Sequence, residues 1–261
     1  MFDQLGRATL RALASVGEAA SFAGRALRDV VLPPFEFGEF LRQVYELGWR
    51  SVPLIAASGL AIGVVMSMHT RSTLERFGAE SMIPAGLGLS VIAEIGPLVT
   101  ALLMAGKAGA GIGAELGAMK VTEQIDALEA VAVDAFRYLS VTRVAACVVA
   151  LPLLTVTMDF AAILGGYLAE TAISGMSLGL YLTRAFAYIG FEDFLPATLK
   201  TAVFGFIIAV VGSYLGFTTS RGTEGVGHAS TRAVVISSIL IIFADVVLVR
   251  IILFFFPRGT V

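Results

Sequence analysis

The chain alternates long apolar runs with short polar segments, and five of these runs are long enough to cross a membrane. About 20 consecutive apolar residues span the roughly 30 Å hydrocarbon core of a bilayer. The predicted membrane helices cover approximately residues 52–69, 90–111, 144–169, 201–219 and 233–249. The expected fold class is therefore an all-α integral membrane protein with five transmembrane helices.

Two amphipathic segments precede the first predicted span. Residues 1–32 repeat apolar side chains every three or four positions and place arginines on the other face, until Pro33 and Pro34 end the pattern. Such a helix is typical of the membrane interface, although a helix packed on a partner protein has the same pattern. Residues 35–50 form a second amphipathic piece. We therefore predict an interfacial region at 1–50 and a transmembrane domain at 51–261.

Composition and charge narrow the class further. The 261 residues are 57% hydrophobic and 15% charged, whereas soluble domains are about 45–50% apolar and about 25% charged. The net charge of −2 argues against nucleic acid as a partner. The lone cysteine, Cys147, lies in an apolar run and is expected to be a core thiol.

The distribution of cations predicts the orientation of the chain. With the N-terminus in the cytoplasm, twelve of the 18 Lys and Arg residues fall on the cytoplasmic side and six, Lys200 among them, on the other. The positive-inside rule then favours a cytoplasmic N-terminus and a C-terminus across the membrane. A polar loop with Arg221, Glu224, His228 and Arg232 is expected before the fifth span.

Three acids lie inside the predicted spans and require an explanation, because charge in hydrocarbon is costly. Asp159 and Asp245 are expected to pair with hydroxyl or backbone groups between helices, although an ion relay is the alternative. Glu94 lies two residues before Gly96-Pro97, where a break in the helix would leave backbone groups free and a cavity is expected. For Glu94, a functional role in that cavity and a purely structural role both remain open.

The stretch from Glu94 to Leu139 combines a membrane span with a polar helix. Its small residues, including Gly106, Gly109 and Gly113, predict close helix packing. A short acid-rich helix follows at about residues 119–131, which Thr122 is placed to cap. Its sequence favours docking to a soluble partner over a plain connector, and the residues expected to make that contact are Glu123, Gln124, Ile125, Asp126 and Leu128.

Sites for catalysis or cofactors are not evident in the sequence. Gly106-Lys107-Ala108 lacks the leading glycine and the Ser or Thr of a nucleotide-binding loop. The two histidines are far apart, and no serine lies in a nucleophile elbow. We therefore predict no catalytic residues, no metal site and no cofactor bound by this chain.

The segment EIGPLVTALLMAGKAGAGIGAELGAMKVTEQIDALEAVAVDAFRYL, with LPLLT, SGLAIGVV and STRAVVISS elsewhere, closely resembles the MlaE/YrbE permease family. These proteins are membrane subunits of MCE-associated ABC transporters that move phospholipids between bacterial membranes. The family commonly has Arg where this chain has Ala93. Glu94 is therefore expected to line the central cavity, with a lipid headgroup, Arg71, Arg76 or solvent as its partner. The resemblance implies an inner-membrane permease of a Gram-negative bacterium, with its C-terminus in the periplasm and a function in outer-membrane lipid asymmetry.

The resemblance also implies partners. They are a second copy of the chain, a cytoplasmic ATPase that uses ATP and binds the 119–131 helix, and a periplasmic ring of MCE-domain protein, expected to be a hexamer. A small STAS-domain subunit is often present. The phospholipid cavity would lie at the dimer centre, and its implied lining is Met66, Leu74, Phe77 and Glu94.

Two other functions remain open from the residues alone. A secondary transporter or channel would use Glu94, Asp159 and Asp245 as an ion path and would need no ATPase. A structural anchor would only tether the periplasmic ring.

Overall fold

The computed structural model of the chain describes residues 2–33, 35–220 and 222–255, with side chains described from residue 14 onward. The predicted end of the first helix at Pro34, the polar position Arg221 and the tail from Phe256 lie outside these ranges. The described residues form eleven α-helices joined by short turns. These helices are α1 Phe2–Val31, α2 Phe37–Gln43, α3 Val52–Leu74, α4 Ile83–Ser90, α5 Gly96–Met104, α6 Ala110–Val121, α7 Gln124–Ala130, α8 Thr142–Ser174, α9 Leu178–Ala185, α10 Phe191–Phe217 and α11 Gly222–Phe255.

Five continuous helical segments among the described residues are long and apolar enough to cross a membrane, as predicted. They cover Phe37–Phe77, Glu80–Val121, Phe136–Ser174, Phe191–Phe217 and Gly222–Phe255. Several shorter helices join end to end in these segments, through turns of π-helix or 3-10 helix. The second segment has 42 residues, about twice the number that hydrocarbon alone requires.

The predicted boundaries were too narrow at both ends of most spans. The amphipathic piece at 35–50 is not a separate element, since it continues through a π turn at Val44–Gly48 into α3. The polar loop expected before the fifth span is also wrong, because Glu224, His228 and Arg232 lie on α11. Hydropathy marks only the residues in hydrocarbon, whereas a helix continues until its backbone is interrupted.

The described residues divide into two compact units. The first contains residues 2–43, 105–146 and 206–237. Its aromatic core is built around Phe22, whose ring lies 4.9 Å from that of Phe136 and 5.8 Å from that of Tyr214. Arg137 contacts Asp29 at 3.4 Å, and Arg25 stacks on Phe136 at 4.1 Å. These contacts fix the end of α1 against the π turn that precedes α8.

The second unit contains residues 44–104, 147–205 and 238–255, and close contact of backbones holds it together. A Cβ on Gly63 of α3 would lie 1.9 Å from the carbonyl oxygen of Ala162 in α8. A Cβ on Gly165 would lie 2.2 Å from the oxygen of Leu60. Only glycine fits at these two positions, so α3 and α8 touch through their backbones, as small residues allow in membranes.

We predict that Gly63→Ala strongly destabilises the protein, because its methyl group would overlap the Ala162 carbonyl. Overpacking typically costs about 1–3 kcal/mol, and here the obstruction is backbone rather than a movable side chain. The matched control is Gly86→Ala in α4, where a Cβ would have no described neighbour within 4 Å. Thermal melting of the purified variants in detergent tests this, and equal melting temperatures would contradict the close contact.

Candidate functional site

The second span is helical throughout but contains two π turns. They cover Val91–Ile95 and Ala105–Gly109 and flank α5 on both sides. The break predicted at Gly96-Pro97 is therefore a π turn followed directly by α5, rather than an interruption of the helix. Single π turns in α-helices are uncommon and occur frequently at functional sites. Glu94 lies in the first of them, half-buried.

Glu94 contacts a lysine from another span. The Lys200 ammonium donates a hydrogen bond of 2.8 Å to Oε2 of Glu94. Lys200 belongs to α10 and its side chain is 1% exposed, whereas 43% of the Glu94 side chain is exposed. The expected partners Arg71 and Arg76 were wrong, because the cation beside Glu94 is Lys200.

Asp245 of α11 contacts the same ammonium. Its Oδ1 lies 2.9 Å from Nζ of Lys200. This contact is an ion pair rather than a hydrogen bond, because Oδ1 has no hydrogen-bond partner among the described residues. The predicted hydroxyl or backbone partner for Asp245 was therefore wrong. We call Glu94, Lys200 and Asp245 the ionic triad; it joins the second span to α10 and α11.

Asp159 of α8 forms no ion pair with this triad. The residue is 3% exposed, and neither carboxylate oxygen has a hydrogen-bond partner among the described residues. A Cβ on Gly96 would lie 1.8 Å from Oδ1 of Asp159, so the carboxyl group fills the space that glycine leaves. The predicted hydroxyl or backbone partner is not present in the described part of the chain. Gly96 is explained by this steric requirement.

Arg71 instead forms a second ionic cluster, with Glu170 of α8. Its guanidinium donates to both Glu170 oxygens, at 2.6 and 3.3 Å, and to Glu75 at 3.1 Å. The hydroxyl of Ser67 donates to Glu170 at 3.0 Å. The Glu170 side chain is 1% exposed. A bidentate arginine contact of this kind fixes orientation as well as charge, so α3 and α8 are held in register here.

Three residues were expected to line a lipid cavity together with Glu94. Met66 packs against the buried side chains of Leu87, Val91 and Ala162. Leu74 is half-buried, and Phe77 is 78% exposed. Their predicted role concerns a cavity formed with a second copy of the chain, and it stays a prediction.

The acid-rich helix is shorter than predicted. α6 continues to Val121, and α7 covers only Gln124–Ala130. Glu123 begins α7 with a positive φ of 58°, and Thr122 does not cap it, because its hydroxyl donates back to the Ala118 carbonyl at 2.8 Å. The expected capping by Thr122 was therefore wrong.

Among the residues expected to meet a partner, α7 presents polar groups and buries one apolar side chain. Ile125 is 2% exposed and anchors the helix. Glu123, Gln124 and Asp126 are exposed and Leu128 is half-buried. Asp126 accepts a bond of 2.8 Å from Lys120. The acidic surface of α7 is thus available to another protein.

The three glycines predicted to pack differ from one another. A Cβ on Gly113 would lie 3.2 Å from the oxygen of Ala229, and one on Gly109 would lie 3.5 Å from Ile208. A Cβ on Gly106 would have no described neighbour within 4 Å. A packing role for Gly106 therefore has no support from contacts within the described chain.

Lys200 and Glu170 are the site residues that sequence reasoning missed. Lys200 immediately precedes the predicted span 201–219, and Glu170 immediately follows the predicted span 144–169. Hydropathy therefore placed both residues outside the spans. The available signal was the presence of unpaired acids in other spans, because a buried carboxylate requires a cation nearby.

Comparison with known proteins now identifies the family. The family described as Permease MlaE matches residues 40–251. The chain belongs to the MlaE permease family. The match covers every residue of both ionic clusters and all of α7.

Curated relatives support the MlaE assignment. A probable ABC transporter permease protein of Rickettsia bellii is 35% identical over 243 residues, covering 93% of this chain and 94% of the relative. The intermembrane phospholipid transport system permease protein MlaE of Haemophilus influenzae is 33% identical over 216 residues, covering 82% and 83%. The chloroplastic protein TRIGALACTOSYLDIACYLGLYCEROL 1 of Arabidopsis thaliana is 31% identical, covering 87% and 65%.

In this MlaE-family permease, Lys200→Met should be strongly destabilising because it leaves Asp245 buried without a cation. Removing one partner of a buried ion pair lowers the free energy of unfolding by about 3–5 kcal/mol, whereas replacing both partners by apolar groups often leaves it nearly unchanged. The double variant Lys200→Met/Asp245→Leu should therefore recover most of the stability. Heating purified protein and measuring the monodisperse fraction tests this.

The control for this prediction is Arg50→Met, which removes an exposed partner of Glu46. Exposed pairs contribute about 0–1 kcal/mol, so this variant should melt close to the wild type. A Lys200→Met variant as stable as the control, or a double variant less stable than the single one, would show that the triad does not hold the spans together.

Proposed function

We propose that this chain is the membrane permease subunit of an ABC transporter that moves phospholipids between the inner and outer membranes of a Gram-negative bacterium. The observation that carries the proposal is the family match over residues 40–251. A relative named as an intermembrane phospholipid transport system permease protein supports it. The five long apolar segments suit a multi-pass protein of the inner membrane. A cytoplasmic N-terminus and a periplasmic C-terminus follow from the cation distribution.

The half-exposed carboxylate of Glu94 is the group proposed to meet the lipid. Lys200 and Asp245 hold it from the buried side, so that its remaining surface faces outward from the second span. A charged group beside apolar walls suits an amphiphile, because the carboxylate contacts the headgroup while the walls contact acyl chains. Met66, Leu74 and Phe77 are the proposed apolar residues of this path.

Energy would come from a separate cytoplasmic ATPase that binds α7 and uses ATP. The exposed acids of α7 and its buried anchor Ile125 support this role, since a docking helix must be fixed on one side and polar on the other. A periplasmic MCE-domain ring and a STAS-domain subunit complete the proposed assembly.

A second copy of the chain is proposed to cover α11. Only 11% of the most apolar stretch of α11 is buried within the chain, whereas 56% of the corresponding stretch of the third span is buried. An apolar helix with so little covered surface suits an interface with another copy. Lipid would occupy whatever surface remains uncovered.

The ion-path alternative finds less support in the geometry. An ion relay needs its acids linked by polar groups, but neither carboxylate oxygen of Asp159 has a hydrogen-bond partner among the described residues. Lys200 lies against both Glu94 and Asp245, so a fixed cation already contacts both of these acids.

Transfer of labelled phospholipid between vesicles tests the proposed function, with the permease reconstituted together with its ATPase and periplasmic partner. Transfer should require ATP. Glu94→Gln should leave folding intact and change the rate about tenfold, because a hydrogen bond to a charged group contributes about 1.5 kcal/mol or more. The control Glu46→Gln alters an acid of the first helical segment whose side chain is 42% exposed, and it should transfer at the wild-type rate.

The two results of that experiment have separate meanings. A complete wild-type complex without ATP-dependent transfer would contradict phospholipid transport. Transfer by Glu94→Gln equal to that of the control would instead restrict Glu94 to a structural role.

Reversing the charge of α7 should uncouple the two subunits. We expect Glu123→Lys/Asp126→Lys to lose co-purification with the ATPase, or to retain ATP hydrolysis without lipid transfer, because two acidic contacts become repulsive. The control Glu80→Lys/Glu192→Lys makes the same charge change at the starts of the second and fourth helical segments, on the opposite predicted side. Unchanged assembly and transport in the α7 variant would exclude this helix as the docking site.

A further inference from the structure

A cavity lies in the second unit, lined by α8, α9, the start of α10 and Ile92 of the first π turn. Its volume is about 560 Å³, within the range of roughly 300–1,000 Å³ typical of ligand sites. Val156, Phe160 and Leu164 line it from one face of α8, and Leu182 and Phe186 line it from α9. The α8 residues of the lining extend from 156 to 167, which corresponds to about 16 Å along the helix axis.

The surface of this cavity is almost entirely hydrocarbon and aromatic. Asp159 is the one charged residue of its lining, but both carboxylate oxygens are buried, and Oδ1 is turned to Gly96. Ordered water needs about 2–4 polar partners, and this lining does not provide them. The cavity is therefore suited to an apolar occupant.

The cavity opens toward the membrane. Phe160 is 72% exposed and Leu182 is 37% exposed, and α8 forms part of the third span. Inside a bilayer, the hydrophobic effect does not drive an apolar group from lipid into protein. An empty slot would nevertheless lose dispersion contacts along its walls, and the surrounding acyl chains are the available molecules that restore them.

We propose that this cavity binds one acyl chain of a membrane lipid that resides on the protein rather than being carried by it. A cavity lined by α8 over about 16 Å accommodates a chain lengthwise, and α9 also contributes to its wall. None of the triad residues, nor Met66, lines the cavity, and Ile92 is its one lining residue from the π turn that carries Glu94. The proposed resident lipid therefore contacts different residues from those of the proposed transport path, and its test does not depend on transport.

Photolabelling tests this site in vesicles of phosphatidylethanolamine and phosphatidylglycerol. A small fraction of phosphatidylethanolamine carries a diazirine near the end of one acyl chain, and the labelled peptides are identified by mass spectrometry. Label should concentrate on the α8 segment from Val156 to Leu164 and exceed that at Leu199, which is 56% exposed on α10 and outside this lining. When unlabelled lipid is added, labelling at the cavity should fall more slowly than labelling at Leu199.

A pair of variants on α9 isolates the cavity from general contact with lipid. Leu182→Trp fills the slot and should reduce α8 labelling about tenfold, which corresponds to about 1.4 kcal/mol. Leu180→Trp makes the same change on the same helix, at a residue that is 45% exposed and outside the lining. It should label like the wild type.

A second measurement covers the case in which Leu182→Trp fails to fold. A benzophenone side chain placed at Phe186 of the otherwise unchanged protein should cross-link to lipid in native membranes. Cross-linking to a second copy or to another protein would overturn the proposal, because a protein would then fill the slot. Equal α8 labelling in the two tryptophan variants, or labelling no higher than at Leu199, would show contact with bulk lipid only and would also overturn it.

Discussion

A charge placed in hydrocarbon must be compensated by groups of the same protein, and this constraint organises the second unit. Lys200 is almost fully buried, and two carboxylates from two other spans contact its ammonium. Each charge would be costly alone, so the three helices that carry them have to meet at one depth. Arg71 and Glu170 impose the same condition on α3 and α8.

The triad differs from a purely structural ion pair in its asymmetry. Lys200 and Asp245 are buried, whereas nearly half of the Glu94 side chain is exposed. Buried partners thus fix the position of a carboxylate whose other side is free to contact something else. The π turn that carries Glu94, and the steric fit of Gly96 against Asp159, set the direction in which that side chain leaves the helix.

Much of the architecture could be predicted because membrane helices have a strong sequence pattern. Hydropathy located all five spans, and the stretch from Glu94 to Leu139 carried the resemblance that the family match confirmed. The ends of the helices could not be located in this way, because the polar residues at the start of α11 extend the helix, and Gly225 and Gly227 among them do not end it. Glu94 is unusual in the sequence alone, as a carboxylate in an apolar span.

Pairing between distant spans could not be predicted from local patterns. Lys200 lies 106 positions from Glu94, and nothing in either segment specifies the depth at which they meet. The π turns are equally invisible in composition, since they arise from backbone packing against neighbouring helices. Close contacts such as Gly63 with Ala162 depend on the same packing, which is why only some of the predicted glycines contact another helix.

Exposure of the Glu94 side chain to a polar path is measured most directly by the accessibility of a thiol at this position. In a background with Cys147→Ala, Glu94→Cys is compared with Thr100→Cys, a fully buried position of the same span. Both are treated in sealed vesicles with a charged, membrane-impermeant thiol reagent. The account predicts rapid modification at position 94 and none at position 100. Equal protection of both cysteines would contradict it, because Glu94 would then face protein or lipid tails rather than a polar path.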